Sequence, residues 1–152
     1  MAKLSLNRQM VEDRLTNMRN CLIEMYKLAK LPKKEFLAEV RNWAACETFL
    51  RHGLEDIFDI GRHILARIGG FRSGLEYKSI AKGLGDKGVV SQEMAKKLAP
   101  IAGYRNRLVH FYQEISPEEL YDIIQNDLPD IEDFMREIEN FLEANQQRSA
   151  KK

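Results

Sequence analysis

The chain has little of what staples, interrupts or anchors a fold. Cysteine occurs twice in 152 residues, at Cys21 and Cys46. Both lie inside helical patterns without CxxC spacing, so buried reduced thiols are expected rather than a disulfide or a metal site. Prolines number four. No run approaches the ~20 apolar residues a membrane helix needs, and Met1 to Arg8 has no apolar signal-peptide core, so a cytoplasmic protein with no membrane contact is expected. Neither sign of charge predominates. A formal net charge of +1 excludes a global basic field that would announce nucleic acid. With 24 Lys and Arg, a local basic patch stays open. Strand-like alternation, internal repeats and low-complexity blocks are all lacking.

What is present is helical periodicity. Val11, Leu15, Met18, Leu22, Met25 and Ala29 recur in steps of three and four, one stripe of a long helix from about Ser5 to Lys30. Pro32 breaks that pattern. A second helix is expected from Lys34 to Ile68, with Val40, Trp43, Glu47, Leu50, Leu54, Ile57, Gly61, Ile64 and Ile68 on its stripe. Gly69-Gly70 ends it. Lys78 to Leu84 and Ser91 to Leu98 read as short helices, the latter with Ser91 as N-cap. Pro100 and Gly103 bracket the entry to a further helix, Ile101 to Phe111. Ser116-Pro117-Glu118-Glu119 is a strong helix start, with an N-cap serine, proline at the first position and glutamate three residues on. The last helix carries Leu128, Ile131, Met135, Ile138 and Leu142, and Pro129 bends or restarts it. These elements predict an all-α, up-and-down bundle of four to five helices in one domain, residues 1–145, with a polar tail over 146–152. The outer faces of the two long helices are open to packing against a second copy.

Several local patterns have plain readings. Gly83-Leu84-Gly85-Asp86-Lys87-Gly88 fits GxGxxG, but no strand precedes it and no Lys-Ser or Lys-Thr pair closes it. An inter-helix loop is expected there, not a nucleotide site. His52, His63 and His110 form no HExxH or Cys/His cluster, so no metal and no cofactor are expected. Asp59 and His63, four apart, suit a local hydrogen bond. Glu47 is the anomaly of the long stripe, because burying a carboxylate is costly unless it is paired. Either it escapes to water at the bundle edge, or it meets Arg105 or another cation from a different helix.

The richest constellation is Arg105-Asn106-Arg107-Leu108-Val109-His110-Phe111-Tyr112. Cleaving RNA through the ribose 2′-hydroxyl needs a proton-transfer group and a cation for the pentavalent phosphorus. Histidine suits the first, with both forms present near neutrality. Arginine suits the second, being always charged and able to grip phosphate in two places. Spacing sets a limit, since residues five apart on a regular helix point about 140° away from each other. Arg105 and His110 share a face only if the helix is distorted or ends nearby. By spacing alone, a solvated charged face with a hydrogen-bonded histidine is the favoured account. Tyr112, likewise, reads as a half-buried aromatic with a satisfied hydroxyl.

The string Arg105-x4-His110-x-Tyr112, standing as RNRLVHFY, resembles the signature of HepT toxins within the HEPN superfamily. Ala45-Cys46-Glu47 with Asp59-Ile60-Gly61-Arg62-His63-Ile64 is similar to the family's long second helix, and the likeness runs from about Val11 to Leu142. The resemblance implies a bundle that dimerises through its long helices, with two motifs facing a shared cleft. It implies a metal-independent endoribonuclease toxin that attacks through the 2′-hydroxyl. Arg105 and His110 would then carry catalysis and Asn106 would position them or the phosphate. Glu47, Asp59 and His63 would support the motif, and Arg107 would either grip RNA or solvate the helix. It further implies a partner, a small MNT nucleotidyltransferase antitoxin, that silences the toxin by adding AMP to Tyr112. Two other readings stay open: a non-catalytic nucleotide- or RNA-binding subunit of a nucleotidyltransferase complex, and a structural helical adaptor.

Overall fold

The structure, a computed structural model, describes residues 5–69, 76–110 and 115–150, the last four in backbone only. Among them are seven helices and no strand: α1 (Arg8–Ala29), α2 (Lys33–Ala38), α3 (Val40–Ile68), α4 (Tyr77–Asp86), α5 (Gln92–Val109), α6 (Pro117–Asn126) and α7 (Leu128–Ala150). α7 carries on through the start of the polar 146–152 segment as far as Ala150. No described helix is long and apolar enough to cross a membrane.

α3 is the central element, packed by α1, α2, α4, α5 and α6. The α1 stripe is buried as its spacing requires: Val11, Leu15, Met18, Leu22 and Met25 all belong to the core. On α3 the buried arc is wider than one stripe. Cys46, Phe58, Ile60 and Leu65 join Leu50, Leu54, Ile57 and Ile64 in the core, because neighbours cover the helix on several sides. The α7 residues Leu128, Ile131, Met135, Ile138 and Leu142 close the same core. Cys21 and Cys46 are buried free thiols. Burial, with Glu47 beside it, pushes the Cys46 thiol up to about 12, which makes it an inert core residue.

The helix count departs from four to five at three places. The expected helix from Lys34 to Ile68 is two helices, because Glu39 is extended (φ −117°, ψ 115°). In a continuous helix Phe36 and Val40 would share a face. The break separates them: Phe36 is fully buried, its ring 5.1 Å from that of Tyr121 on α6, while Val40 is exposed. At the other end Asp127 separates α6 from α7, and Pro129 is the second residue of the restarted helix. Ser116 caps α6 as expected, its hydroxyl accepting from the Glu119 N–H at 3.1 Å.

The third difference runs the other way. Pro100 does not separate two helices; it lies inside α5. An internal proline costs about 3 kcal/mol through a lost hydrogen bond and a clash. Here Pro100 is exposed, so the carbonyl it leaves unserved is on the solvent side, while Leu98, Ile101 and Ala102 on either side are buried and hold both halves in one line. The GxGxxG stretch is also not a simple loop. Gly83 and Gly85 belong to α4, and only Gly88, with φ +72°, makes the turn. A Cβ on Gly85 would stand 2.7 Å from the Ala95 Cβ, so glycine here lets α4 lie close against α5.

Candidate active site

The RNRLVH string occupies the last turn and the end of α5. The helix starts firmly: the Ser91 hydroxyl accepts from the Met94 N–H at 3.0 Å, and Glu137 accepts from the Ser91 N–H at 2.6 Å. It stops at Val109. His110 is its C-cap, with φ −100°, ψ 117° and its N–H still bonded to the Asn106 carbonyl at 3.3 Å. His110 is therefore the first residue outside the helix, and it is exposed. The helix ends there, as sharing a site with Arg105 requires, and the chain leaves the helical path after His110. Both residues belong to one end of one element.

Arg105 is half-buried, its side chain 17% exposed. Its Nε donates to Glu55 Oε1 on α3 at 2.7 Å. Its guanidinium carbon lies 4.0 Å from the centroid of the Tyr77 ring, at the start of α4. Nη1 makes a long contact of 3.5 Å to Asn106 Oδ1, so Asn106 does adjoin Arg105. Glu47 is not the carboxylate that meets Arg105. It is half-buried beside Cys46, about 80° round the helix from Glu55. Neither Glu55 nor Tyr77 stood out in the sequence. Glu55 is next to the apolar stripe rather than on it, where a carboxylate looks like ordinary surface, and Tyr77 falls in a stretch with no periodicity.

Arg107 faces the other way. Its guanidinium meets Glu119 on α6 in a two-point pair, at 2.5 and 2.7 Å. This neither leaves it fully solvated nor presents it ready-made to RNA. It ties α5 to α6. The signal was present, since Glu119 was read only as part of a helix start. Tyr104 on the same side hydrogen-bonds Asp127. Burial first, then that acidic neighbour, raises its hydroxyl above the usual phenol range.

Among the described residues, Asp59 and His63 do not pair with each other or with Arg105, Asn106 or Arg107. Asp59 takes Arg14 Nη2 at 3.5 Å and Arg62 Nη1 at 3.8 Å. The Asn7 N–H donates to His63 Nε2 at 2.9 Å, fastening the start of α1 to α3. Partial burial and then Arg67 lower the His63 pKa, consistent with a ring that must be neutral at Nε2 to accept that bond. Among the described residues no three His, Cys, Asp or Glu come together as a metal ion would need.

Next to Asp59 lies Asp56, which sequence reading passed over. It is 5% exposed, with Arg14 Nη1 at 3.4 Å. Burial raises its carboxyl from 3.8 to about 6, against the opposing pull of Arg14. A carboxyl whose pKa is raised by folding contributes stability that is complete below its ordinary pKa and is lost as pH rises through the folded value. Between about pH 4 and 6 this group should remove on the order of 2–3 kcal/mol as pH increases. Urea unfolding of the wild type and Asp56→Asn across that window tests it. The variant is expected to lack this share of the pH dependence and to gain on the wild type at pH 8. Parallel curves would show that Asp56 ionises at no cost.

Tyr112 lies outside the described residues, so its surroundings do not enter the geometry above. Comparison with known proteins bears on the whole fold. The chain is 27% identical over 132 residues to a tRNA nuclease HepT of Aphanizomenon flos-aquae (strain 2012/KM1/D3), covering 87% of this chain and 89% of the relative. It superposes on the Bacillus subtilis cytosolic protein of unknown function YutE with a TM-score of 0.78, at 22% identity, over 91% of this chain and 92% of that one. It also superposes on the tri-AMPylated HEPN toxin of Shewanella oneidensis, solved in complex with its MNT antitoxin. There the TM-score is 0.73 at 20% identity, over 86% of this chain and 97% of that one. At such identities the two structures establish the HEPN fold. Residues 18–138 match the ribonuclease HepT-like family, and the chain belongs to that family.

Proposed function

We propose that this protein is the endoribonuclease toxin of a toxin–antitoxin pair, cleaving RNA without a metal ion by attack of the ribose 2′-hydroxyl. The observation that carries this reading is the end of α5 after Val109. There His110 caps the helix whose last turn holds an anchored arginine, so both lie at one end of one element. His110 would exchange a proton with the 2′-hydroxyl or the leaving 5′-oxygen. Arg105 would face the non-bridging phosphate oxygens as negative charge builds on phosphorus. Asn106, against the Arg105 fork, would set the phosphate's position. A homodimer with two motifs across one cleft would gather the cations that a near-neutral chain otherwise spreads thinly. Membership of a ribonuclease family supports the activity, and the complexed Shewanella toxin supports an MNT nucleotidyltransferase as partner. Silencing would follow from AMP joined to Tyr112, two residues from His110, where an added phosphate charge repels RNA.

The test uses purified wild-type protein and total RNA in EDTA, with fragment ends mapped. Fragments ending in 2′,3′-cyclic phosphate are expected. Their loss after incubation with a small nucleotidyltransferase partner and ATP, with the adduct mapped to Tyr112, is expected as well. No cleavage by an unmodified wild type would favour a non-catalytic binding subunit instead.

A further inference from the structure

Arg105 is seated by groups that lie outside its own motif. Glu55 comes from α3, Tyr77 from α4 and Arg105 from α5, so three helices converge on one guanidinium. The seat is itself supported. Phe58, fully buried, meets the Tyr77 ring edge-on at 4.9 Å and 80°, and the Arg62 guanidinium lies 5.6 Å from the same ring's centroid.

The chemistry of the seat is selective. A guanidinium has five N–H donors in a planar fork. Glu55 takes the Nε–H, at the base of the fork, and the Tyr77 face covers the guanidinium. Neither contact uses Nη2, and a phosphate is gripped through the outer part of the fork. Arginine side chains carry about 2 kcal/mol of rotamer entropy, which an unseated Arg105 would lose at each encounter with substrate. Glu55 also partly cancels the arginine's charge, so it cannot serve to strengthen RNA binding. Its effect has to be on orientation.

We propose that Glu55 and Tyr77 are positioning residues for RNA cleavage, holding the Arg105 guanidinium so that its terminal amino groups address the scissile phosphate. This rests on the ribonuclease reading above. A reacting group misplaced by about 1 Å costs on the order of 100-fold in rate. An interaction that matters only in the transition state lowers kcat and leaves KM nearly unchanged.

The experiment measures kcat and KM on one RNA substrate for wild type, Tyr77→Phe, Tyr77→Leu, Glu55→Gln and Glu55→Ala. Tyr77→Leu and Glu55→Ala are expected to lower kcat roughly 10- to 100-fold at similar KM. Tyr77→Phe keeps the ring face and should stay close to wild type. Glu55→Gln keeps an acceptor oxygen and should fall between, which guards against Glu55→Ala failing to fold. The proposal is overturned if only KM rises, or if Tyr77→Phe loses as much as Tyr77→Leu. A second readout does not depend on activity: hydrogen exchange of the Arg105 Nε–H by NMR. Slow exchange in wild type that speeds up in Glu55→Gln and Tyr77→Leu supports the seat. Equal exchange in all of them overturns it. A wild type that cleaves nothing but shows the protected Nε–H would therefore fail the ribonuclease reading while upholding the seat.

Discussion

Replacing His110 with alanine is expected to reduce RNA cleavage by about 10²- to 10⁴-fold, the range that a positioned proton-transfer group supplies. A thermal melt alongside separates chemistry from folding. His110 is exposed and follows the last helical residue, and it is the backbone N–H, which alanine keeps, that bonds Asn106. The capped helix end should therefore persist while kcat collapses. Arg105→Ala should also abolish activity, but less cleanly. It leaves Glu55 without its cation and uncovers Tyr77, so structural and catalytic losses mix. Single-turnover cleavage of a defined RNA, with a thermal melt of each variant, makes the comparison. Wild-type rates in a folded His110→Ala protein would remove the histidine from the mechanism, whatever Arg105 does.

Phe58→Ala is expected to cost about 3–5 kcal/mol of stability, the usual range for deleting a fully buried aromatic ring. Domains of ordinary size are stable by about 5–15 kcal/mol in total, so this one change could take a third or more. Phe58 is completely buried on α3, where the central helix is covered on several sides and little room exists to collapse into the cavity. The effect should reach the site as well. The Phe58 edge supports the Tyr77 ring, and that ring seats Arg105. Urea unfolding gives the stability, and cleavage measured well below the variant's melting temperature gives the second effect. A loss under about 1 kcal/mol would mean that the cavity refills by rearrangement.

Much of the helical frame was legible in advance because it depends on neighbours in the chain. The α1 stripe from Val11 to Met25 and the α7 stripe from Leu128 to Leu142 are buried as their spacing requires. Ser91 and Ser116 cap the helices they were expected to cap. The misreadings came from residues whose local preference was outweighed. Pro100 would break an isolated helix, but buried Leu98, Ile101 and Ala102 hold α5 continuous past it. Glu39 has no breaking tendency, yet the chain opens there so that Phe36 can turn toward α6.

The sequence by itself determined an all-α chain, the start or end of several of its helices and the presence of an Arg–His string typical of one ribonuclease family. These are properties of local periodicity, capping and residue identity. Only the tertiary structure decided which carboxylate meets which arginine. Glu55 rather than Glu47 reaches Arg105, Glu119 takes Arg107, and Asp59 goes to Arg14. The physical reason is geometric. An ion pair needs contact within about 4 Å, and that separation is set by how helices distant in sequence are packed against one another, which no spacing along one helix encodes.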